Sequence, residues 1–78
     1  MDLKLEILKI LKGEEGLTFL ELKKRLKDRK IIFSLKKLKS ELLNLEKEDF
    51  IEERHFRDGL VDYSLERRGY NYLNKKVK

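Results

Sequence analysis

The feature that most constrains the fold is the order of hydrophobic patterns along the chain. Three segments repeat apolar residues every three or four positions, as amphipathic helices do, and they begin near Asp2, Thr18 and Ser34. Two short stretches, 50–57 and 60–65, then flank an Asp-Gly dipeptide that is typical of hairpin turns, and a last helical pattern follows. This order predicts an α+β, mostly helical fold with a three-helix core, a β-hairpin and a C-terminal helix.

The length of 78 residues restricts the chain to one domain, residues 1–78. A domain of this size buries only about 60 to 65 % of its unfolded surface, so dimerisation would be a natural supplement to its stability. There is no Cys, which excludes disulfides and cysteine-ligated zinc. No apolar run approaches the roughly 20 residues that cross a bilayer, and no secretory signal opens the chain. We therefore expect a cytoplasmic protein with no membrane association.

Basic residues are concentrated in one part of the chain. The net charge is +5, but residues 23–39 contain nine Lys or Arg and one Asp, so this segment carries +8 and the remainder −3. A local positive patch attracts a polyanion. The alternative is a solvated helix face on a thermophile-like protein, since charged residues reach 45 % of the chain.

The first helix has more apolar surface than one stripe requires. Its main stripe consists of Leu3, Ile7, Ile10 and Leu11. Leu5 and Leu8 fall outside this stripe by helical rotation, and we expect them to be available for a subunit contact. Asp2 is placed to cap the helix with its side chain.

The second helix begins with a capping box, in which the Thr18 hydroxyl and the Glu21 carboxylate satisfy each other's backbone N–H groups. Its predicted core positions are Phe19, Leu22 and Leu26. The third helix has two candidate caps, Asp28 and Ser34, and we favour Ser34, which gives a helix over about residues 34–48.

The third helix has distinct apolar and polar faces. The predicted core face consists of Leu35, Leu38, Leu42 and Leu45, and the opposite face of Lys36, Lys37, Ser40, Leu43, Asn44 and Lys47. Lys pairs with phosphates or guanine edges, and Ser and Asn hydrogen-bond to phosphates or bases in the major groove. Leu43 would contact a thymine methyl or pack under the hairpin. The alternative is that these are ordinary surface residues that confer solubility.

The hairpin contains residues 50–65 around the turn Asp58-Gly59. A two-residue type I′ turn pairs Arg57 with Leu60, Phe56 with Val61, Arg54 with Tyr63 and Glu52 with Leu65. Basic side chains then lie near the tip, contributed by Arg54, His55 and Arg57, where they would touch a sugar-phosphate backbone or enter a minor groove. The hairpin is short, which limits its reach.

The last helix is predicted over residues 66–77. Tyr70, Leu73 and Val77 recur at helical spacing, with Tyr72 off that line, and we expect the Tyr residues to serve packing or dimer contacts. Arg67 and Arg68 lie in the first turn, where the helix dipole favours an anion. A phosphate or an internal carboxylate would relieve this conflict.

Several motifs together resemble a known family. They are Leu17-Thr18-Phe19-Leu20-Glu21-Leu22-Lys23, Leu38-Lys39-Ser40-Glu41-Leu42-Leu43-Asn44-Leu45, Phe50-Ile51 and Tyr63-Ser64-Leu65-Glu66-Arg67-Arg68-Gly69. Over about three quarters of the chain, they resemble archaeal and bacterial winged-helix transcriptional regulators of the MarR, ArsR and PadR kind. The last motif is similar to that family's Tyr-x-Leu-Thr-x-x-Gly closing motif, with Glu66 in place of Thr.

The resemblance implies a homodimer that binds operator DNA through its third helix and wing. It assigns base and phosphate contacts to Lys36, Lys37, Lys39 and Ser40, and the wing contacts to Arg54 and Arg57. Asn44 is added to this DNA-binding set by its position on the exposed helix face. The chain departs from the pattern in its long connector between the second and third helices, in Asp49 where Gly is common, and in its short wing. The resemblance is to regulators of the archaeal or archaeal-virus type, which implies such a source.

The sequence offers no support for catalysis. His55 is the only histidine, the carboxylates are scattered among lysines, and no glycine-rich phosphate loop is present. We expect a non-enzyme without metal, cofactor or small-molecule ligand. Two functions are considered: a sequence-specific regulator that binds double-stranded DNA as a homodimer through the first and/or last helix, and a winged-helix protein-protein interaction module without direct DNA binding. The clustered charge favours DNA.

Overall fold

The computed structural model describes residues 2–76 and shows four helices and a three-stranded antiparallel sheet. The elements in chain order are α1 (Leu3–Lys12), β1 (Leu17–Thr18), α2 (Phe19–Asp28), α3 (Leu35–Lys47), β2 (Ile51–His55), β3 (Val61–Leu65) and α4 (Arg67–Lys76). The sheet order is β1-β3-β2. The predicted α+β winged-helix architecture is confirmed, while the short strand β1, which precedes the capping box, was not predicted.

Helix α1 lies at the centre of the domain, in contact with α2, α3, α4 and β3. The residues with almost no exposed surface are Ile7, Leu8, Leu11, Leu22, Leu26, Leu38, Leu45 and Leu73. Leu8 is thus part of the core, so the expectation that it serves a subunit contact is wrong, while Leu5 is partly buried against the core. A helix surrounded by other elements needs apolar residues on more than one stripe.

Side-chain caps define the starts of two helices. At α2, Glu21 N donates to Thr18 Oγ1 at 3.2 Å and Thr18 N donates to Glu21 Oε1 at 2.9 Å, so the capping box is confirmed. At α3, Lys37 N donates to Ser34 Oγ at 3.0 Å, which confirms Ser34 as the cap. Asp2 occupies the cap position of α1, but its side chain accepts no capping hydrogen bond. The expectation of an Asp2 side-chain cap is therefore wrong.

Helices α2 and α3 end in the same way, with one non-glycine residue in the left-handed conformation. Lys30 has φ 60° after α2, and Asp49 has φ 61° after α3. In α2, Ile31 N donates to the Leu26 carbonyl at 3.0 Å and Lys30 N to that of Lys27 at 2.9 Å, which is the Schellman pattern. Asp49 therefore occupies the conformation that the family's glycine would favour.

The hairpin strands pair one position away from the predicted register. The observed pairs are Ile51 with Leu65, Glu52 with Ser64, Glu53 with Tyr63, Arg54 with Asp62 and His55 with Val61. The predicted two-residue type I′ turn is wrong because it needs positive φ at both central residues, and only Gly59 (φ 86°) has it. The loop has three residues, and Asp58 Oδ1 accepts a hydrogen bond from Leu60 N at 3.1 Å.

Three predicted core positions near helix ends are less buried than expected. Leu35 is 51 % exposed because it occupies the first turn of α3, beyond the edge of the core, and Phe19 is only partly buried. In α4, Tyr70 is exposed, whereas Tyr72 packs against the core with its ring centroid 4.8 Å from that of Phe50. Leu73 is buried as predicted, and Val77 lies outside the described residues.

Gly69 allows α4 to approach the end of α3. A Cβ at this position would fall on the carbonyl oxygen of Phe50 and lie 2.9 Å from Leu65 Cδ1. The Phe50 carbonyl also accepts a hydrogen bond from Glu66 N at 3.0 Å. This contact gives the closing motif a physical reason: only a residue without a side chain fits between the helix and this backbone.

Candidate nucleic-acid interface

The outer face of α3 is exposed as the sequence predicted. The exposed residues include Lys36, Lys37, Lys39, Ser40, Leu43 and Asn44, opposite the buried Leu38, Leu42 and Leu45. This face offers ammonium, hydroxyl and amide groups along one side of a helix of 13 residues. Such groups are suited to phosphate oxygens and to base edges.

Part of the basic segment is neutralised within the protein. Arg25 pairs with Glu14, Arg29 with Glu6 at 3.5 Å, and Lys37 with Glu41 at 3.6 Å. Within residues 2–76, no carboxylate oxygen lies within 4 Å of the other six amines, which belong to Lys23, Lys24, Lys27, Lys30, Lys36 and Lys39. These six side chains are therefore the ones available to an external anion.

Phe19 joins the basic residues of α2 to those of α3. Lys23 Nζ lies 5.9 Å from the Phe19 ring centroid and Lys39 Nζ lies 6.0 Å from it. On α2, Lys24 lies opposite the buried leucines and Lys23 and Lys27 flank it, since they are one and three positions away from it. The amines of α2 and α3 thus form one surface, which we call the basic face.

The short hairpin is braced by an ion pair close to its loop. Arg54 Nε and Nη2 each donate to an Asp62 carboxylate oxygen at 2.7 Å, and Nη2 also donates to the Glu15 carbonyl at 3.2 Å. The hydrogen bonds from Arg54 hold the pKa of Asp62 below its ordinary value. The one-residue shift in register places these two residues opposite each other, so Arg54 is occupied by Asp62 and β1 is linked to the wing.

The tip of the wing carries the neighbouring charges of Arg57 and Asp58 between apolar residues. Arg57 is exposed, and within the described chain no carboxylate oxygen lies within 4 Å of its guanidinium. Phe56 and Leu60, at either side of the loop, are also exposed. Of the two arginines predicted for the wing, Arg57 is the one that remains accessible at the tip.

The opposite edge of the hairpin is acidic. A groove of about 470 Å³ is lined by Glu46, Asp49, Ile51, Glu52, Glu53 and Glu66. A hydrogen bond with Glu52 raises the pKa of Glu66, and burial raises the pKa of Glu46. Such a groove repels a polyanion.

His55 lies on the acidic side of the hairpin rather than with the basic tip. Its Nε2 is 2.7 Å from Glu53 Oε1, and the Tyr63 hydroxyl donates to Glu53 Oε2 at 3.3 Å. Burial, together with the Glu53 charge, raises the pKa of Tyr63 to about 12. Among residues 2–76, no three His, Asp or Glu side chains are grouped to hold a metal ion.

The sequence reasoning missed three features of this region: β1, the Arg54–Asp62 pair and the exposure of Ile32. Arg54 lies three residues before the loop 57–59 and Asp62 three residues after it, so a three-residue loop would have paired them. Leu43 lines a groove with Phe19 and Tyr63 next to the wing, yet half of it remains exposed.

Comparisons with known proteins support the architecture. No family model matches the sequence, and no curated protein sequence matches it. Over residues 2–76, none of the helices has the length and apolar character that a membrane span requires. Among solved structures, a PadR family transcription regulator from hypervirulent Clostridium difficile superposes with a TM-score of 0.83 at 19 % identity, over 94 % of this chain and 80 % of that one. The chain therefore has the winged-helix fold of a PadR-type transcription regulator.

Proposed function

We propose that this protein is a sequence-specific transcription regulator that binds double-stranded DNA. The observation that carries this proposal is the basic face together with Lys30 of the connector, because in the part of the chain that the structure describes six of these lysines have no carboxylate oxygen within 4 Å. The acidic groove lies along the hairpin, so the electrostatic potential is uneven over the surface, positive near the lysines and negative at this groove. The fold shared with a transcription regulator adds support.

In this proposal α3 enters the major groove with its exposed face. Lys36 and Lys39 contact phosphates or guanine edges, and Ser40 and Asn44 contact bases. Lys37 exchanges its Glu41 partner for a phosphate at small cost, because exposed ion pairs contribute little.

The two wing arginines take different roles. Arg57 contacts the sugar-phosphate backbone from the tip of the hairpin. Arg54, in contrast, holds the wing in position through Asp62 rather than binding DNA itself.

The proposed homodimer uses the last helix. Helix α1 is surrounded by the core and has little free apolar surface, whereas α4 exposes Tyr70. A two-fold dimer of winged helices binds a pseudo-palindromic site with half-sites about one helical turn apart. We propose no metal, cofactor or small-molecule ligand and no catalytic activity.

The alternative function is a protein-protein interaction module, favoured by the exposed apolar residues around α2 and α3. Salt dependence of duplex binding separates the two. If one subunit neutralises about six phosphates, the logarithm of the association constant falls with the logarithm of the salt concentration with a slope of about −5. A flat, weak response to salt would favour the interaction module.

Single substitutions test the roles of individual residues. Lys36→Ala should weaken binding to all duplexes and reduce the slope by about one unit, while Lys75→Ala on the exposed side of α4 should not. Ser40→Ala should reduce discrimination between the selected and a random duplex more than it reduces total binding. Equal losses of specific and non-specific affinity in the Ser40 variant, or a loss confined to the selected duplex in the Lys36 variant, would contradict these roles.

A further inference from the structure

Two exposed apolar side chains lie at the N-terminal end of α3. Ile32 is 99 % exposed and Leu35 is 51 % exposed. They line a groove of about 330 Å³ together with Lys23, Lys27, Ile31 and Phe33. These apolar groups lie at the end of a helix that is proposed to enter the major groove. Phosphate binding alone does not account for them, because lysines and polar groups would suffice for it.

The connector between α2 and α3 holds Ile32 in a defined place. Ile31 is buried, and its N–H closes the end of α2 on the Leu26 carbonyl. Phe33 on the other side is partly buried against the core. Ile32 is therefore presented outward by two anchored neighbours rather than by a free loop.

The Ser34 hydroxyl, between Ile32 and Leu35 in the chain, is part of the helix cap. It accepts the hydrogen bond of Lys37 N, so its position is fixed by α3. Residues at the N-terminus of a recognition helix are the ones that contact base edges.

The surrounding lysines decide between possible occupants of the groove. A protein partner with an apolar surface would have to desolvate Lys23 and Lys27 without pairing them, which is costly. Duplex DNA supplies phosphates for the amines and, in the major groove, the apolar C5 methyl group of thymine. The mixture of charge and apolar surface thus matches DNA better than protein.

We propose that Ile32 and Leu35 recognise thymine methyl groups in the major groove, so that the binding site contains thymine opposite the N-terminal end of α3. This inference rests on the proposed function. It adds a source of base specificity that is independent of hydrogen bonding by Ser40 and Asn44.

The test removes the methyl groups without changing base pairing. The probe is the duplex recovered from a random pool by binding to the protein, prepared once with thymine and once with deoxyuridine at every thymine position. Loss of each contacted methyl should weaken binding about fourfold, given the free energy of burying one such group. Single thymine replacements then locate the contacted positions.

Substitutions in the protein, each measured with both duplexes, complete a double-mutant cycle. Ile32→Ala and Leu35→Ala should each bind the thymine duplex more weakly and lose much of the difference between the two duplexes. The matched control is Leu60→Ala, since Leu60 is 55 % exposed but lies on the wing. It should retain the full difference, because thymine methyl groups lie only in the major groove. The Ile32 and Leu35 variants should both fold, since these side chains are largely outside the core.

The outcomes separate this inference from the proposed function. Salt-dependent binding with equal affinity for both duplexes, or an undiminished difference in both the Ile32 and the Leu35 variants, overturns the methyl contact and leaves DNA binding intact. Absence of duplex binding overturns both proposals.

Discussion

Gly69→Ala tests whether the contact between α4 and the end of α3 determines the fold. The added methyl would fall on the Phe50 carbonyl oxygen and lie 2.9 Å from Leu65 Cδ1. Phe50 has little freedom to move, because it is buried, its N–H donates to the Leu45 carbonyl at 2.9 Å and its ring packs on Tyr72. The helix must therefore shift away from this backbone.

The expected magnitude is the difference between two opposing effects. Alanine in a helix interior is favoured over glycine by about 1 kcal/mol. Overpacking against fixed neighbours costs about 1–3 kcal/mol or more, and displacement of α4 also strains the hydrogen bond from Glu66 N to the Phe50 carbonyl, worth about 1 kcal/mol. We expect a net loss of about 1–3 kcal/mol in the free energy of unfolding.

Urea unfolding followed by circular dichroism measures this loss. For a domain of this size, each kcal/mol corresponds to a fall in Tm of about 4–8 °C. The control is Gly13→Ala, because a Cβ there meets nothing within 4 Å and the φ of −95° suits alanine. Its stability should change by no more than about 0.5 kcal/mol. A Gly69→Ala protein at least as stable as the wild type would refute the close-approach argument.

Three further substitutions test the caps, the helix ends and the wing. Lys30→Gly should raise the free energy of unfolding by about 0.5–1 kcal/mol in urea titrations, because glycine adopts positive φ readily. Asp49→Gly should raise it by less, because Asp tolerates positive φ better than Lys. A destabilised Lys30 variant would contradict this expectation. Thr18→Ala should lower the free energy of unfolding by about 1 kcal/mol in the same assay through loss of the capping box, and an unchanged midpoint would argue against it. Asp62 has a lowered pKa when folded, so its pairing with Arg54 stabilises the protein above the unfolded pKa and is lost as the pH falls through the folded value. The stability difference between wild type and Asp62→Asn should therefore be larger at pH 7 than at pH 3, and a constant difference would exclude the pair as its source.

Interactions between residues a few positions apart in the sequence were sufficient to predict the local structure. The capping box at Thr18 and the cap at Ser34 are hydrogen bonds across three positions, so they depend little on the rest of the fold. The exposed face of α3 follows from helical periodicity alone. The basic segment and the closing glycine were also recognised from the sequence, although the reason for Gly69 was not.

Features that depend on distant segments required the tertiary structure. Burial of Leu8 follows from four elements packing around α1, and a single helical stripe carries no such information. The hairpin register was set by a three-residue loop, and a shift of one position exchanges the neighbours of every side chain in the strand.

The sequence and the tertiary structure also determined different properties of the candidate site. The amino-acid sequence by itself determined that lysines would be concentrated on α2 and α3, because charge and periodicity are local properties. Only the tertiary structure decided which of them lack a partner, that Arg54 is occupied by Asp62, and that five carboxylates line one groove. Ion pairs and grooves form between residues far apart in the chain, and their geometry exists only once the elements are packed.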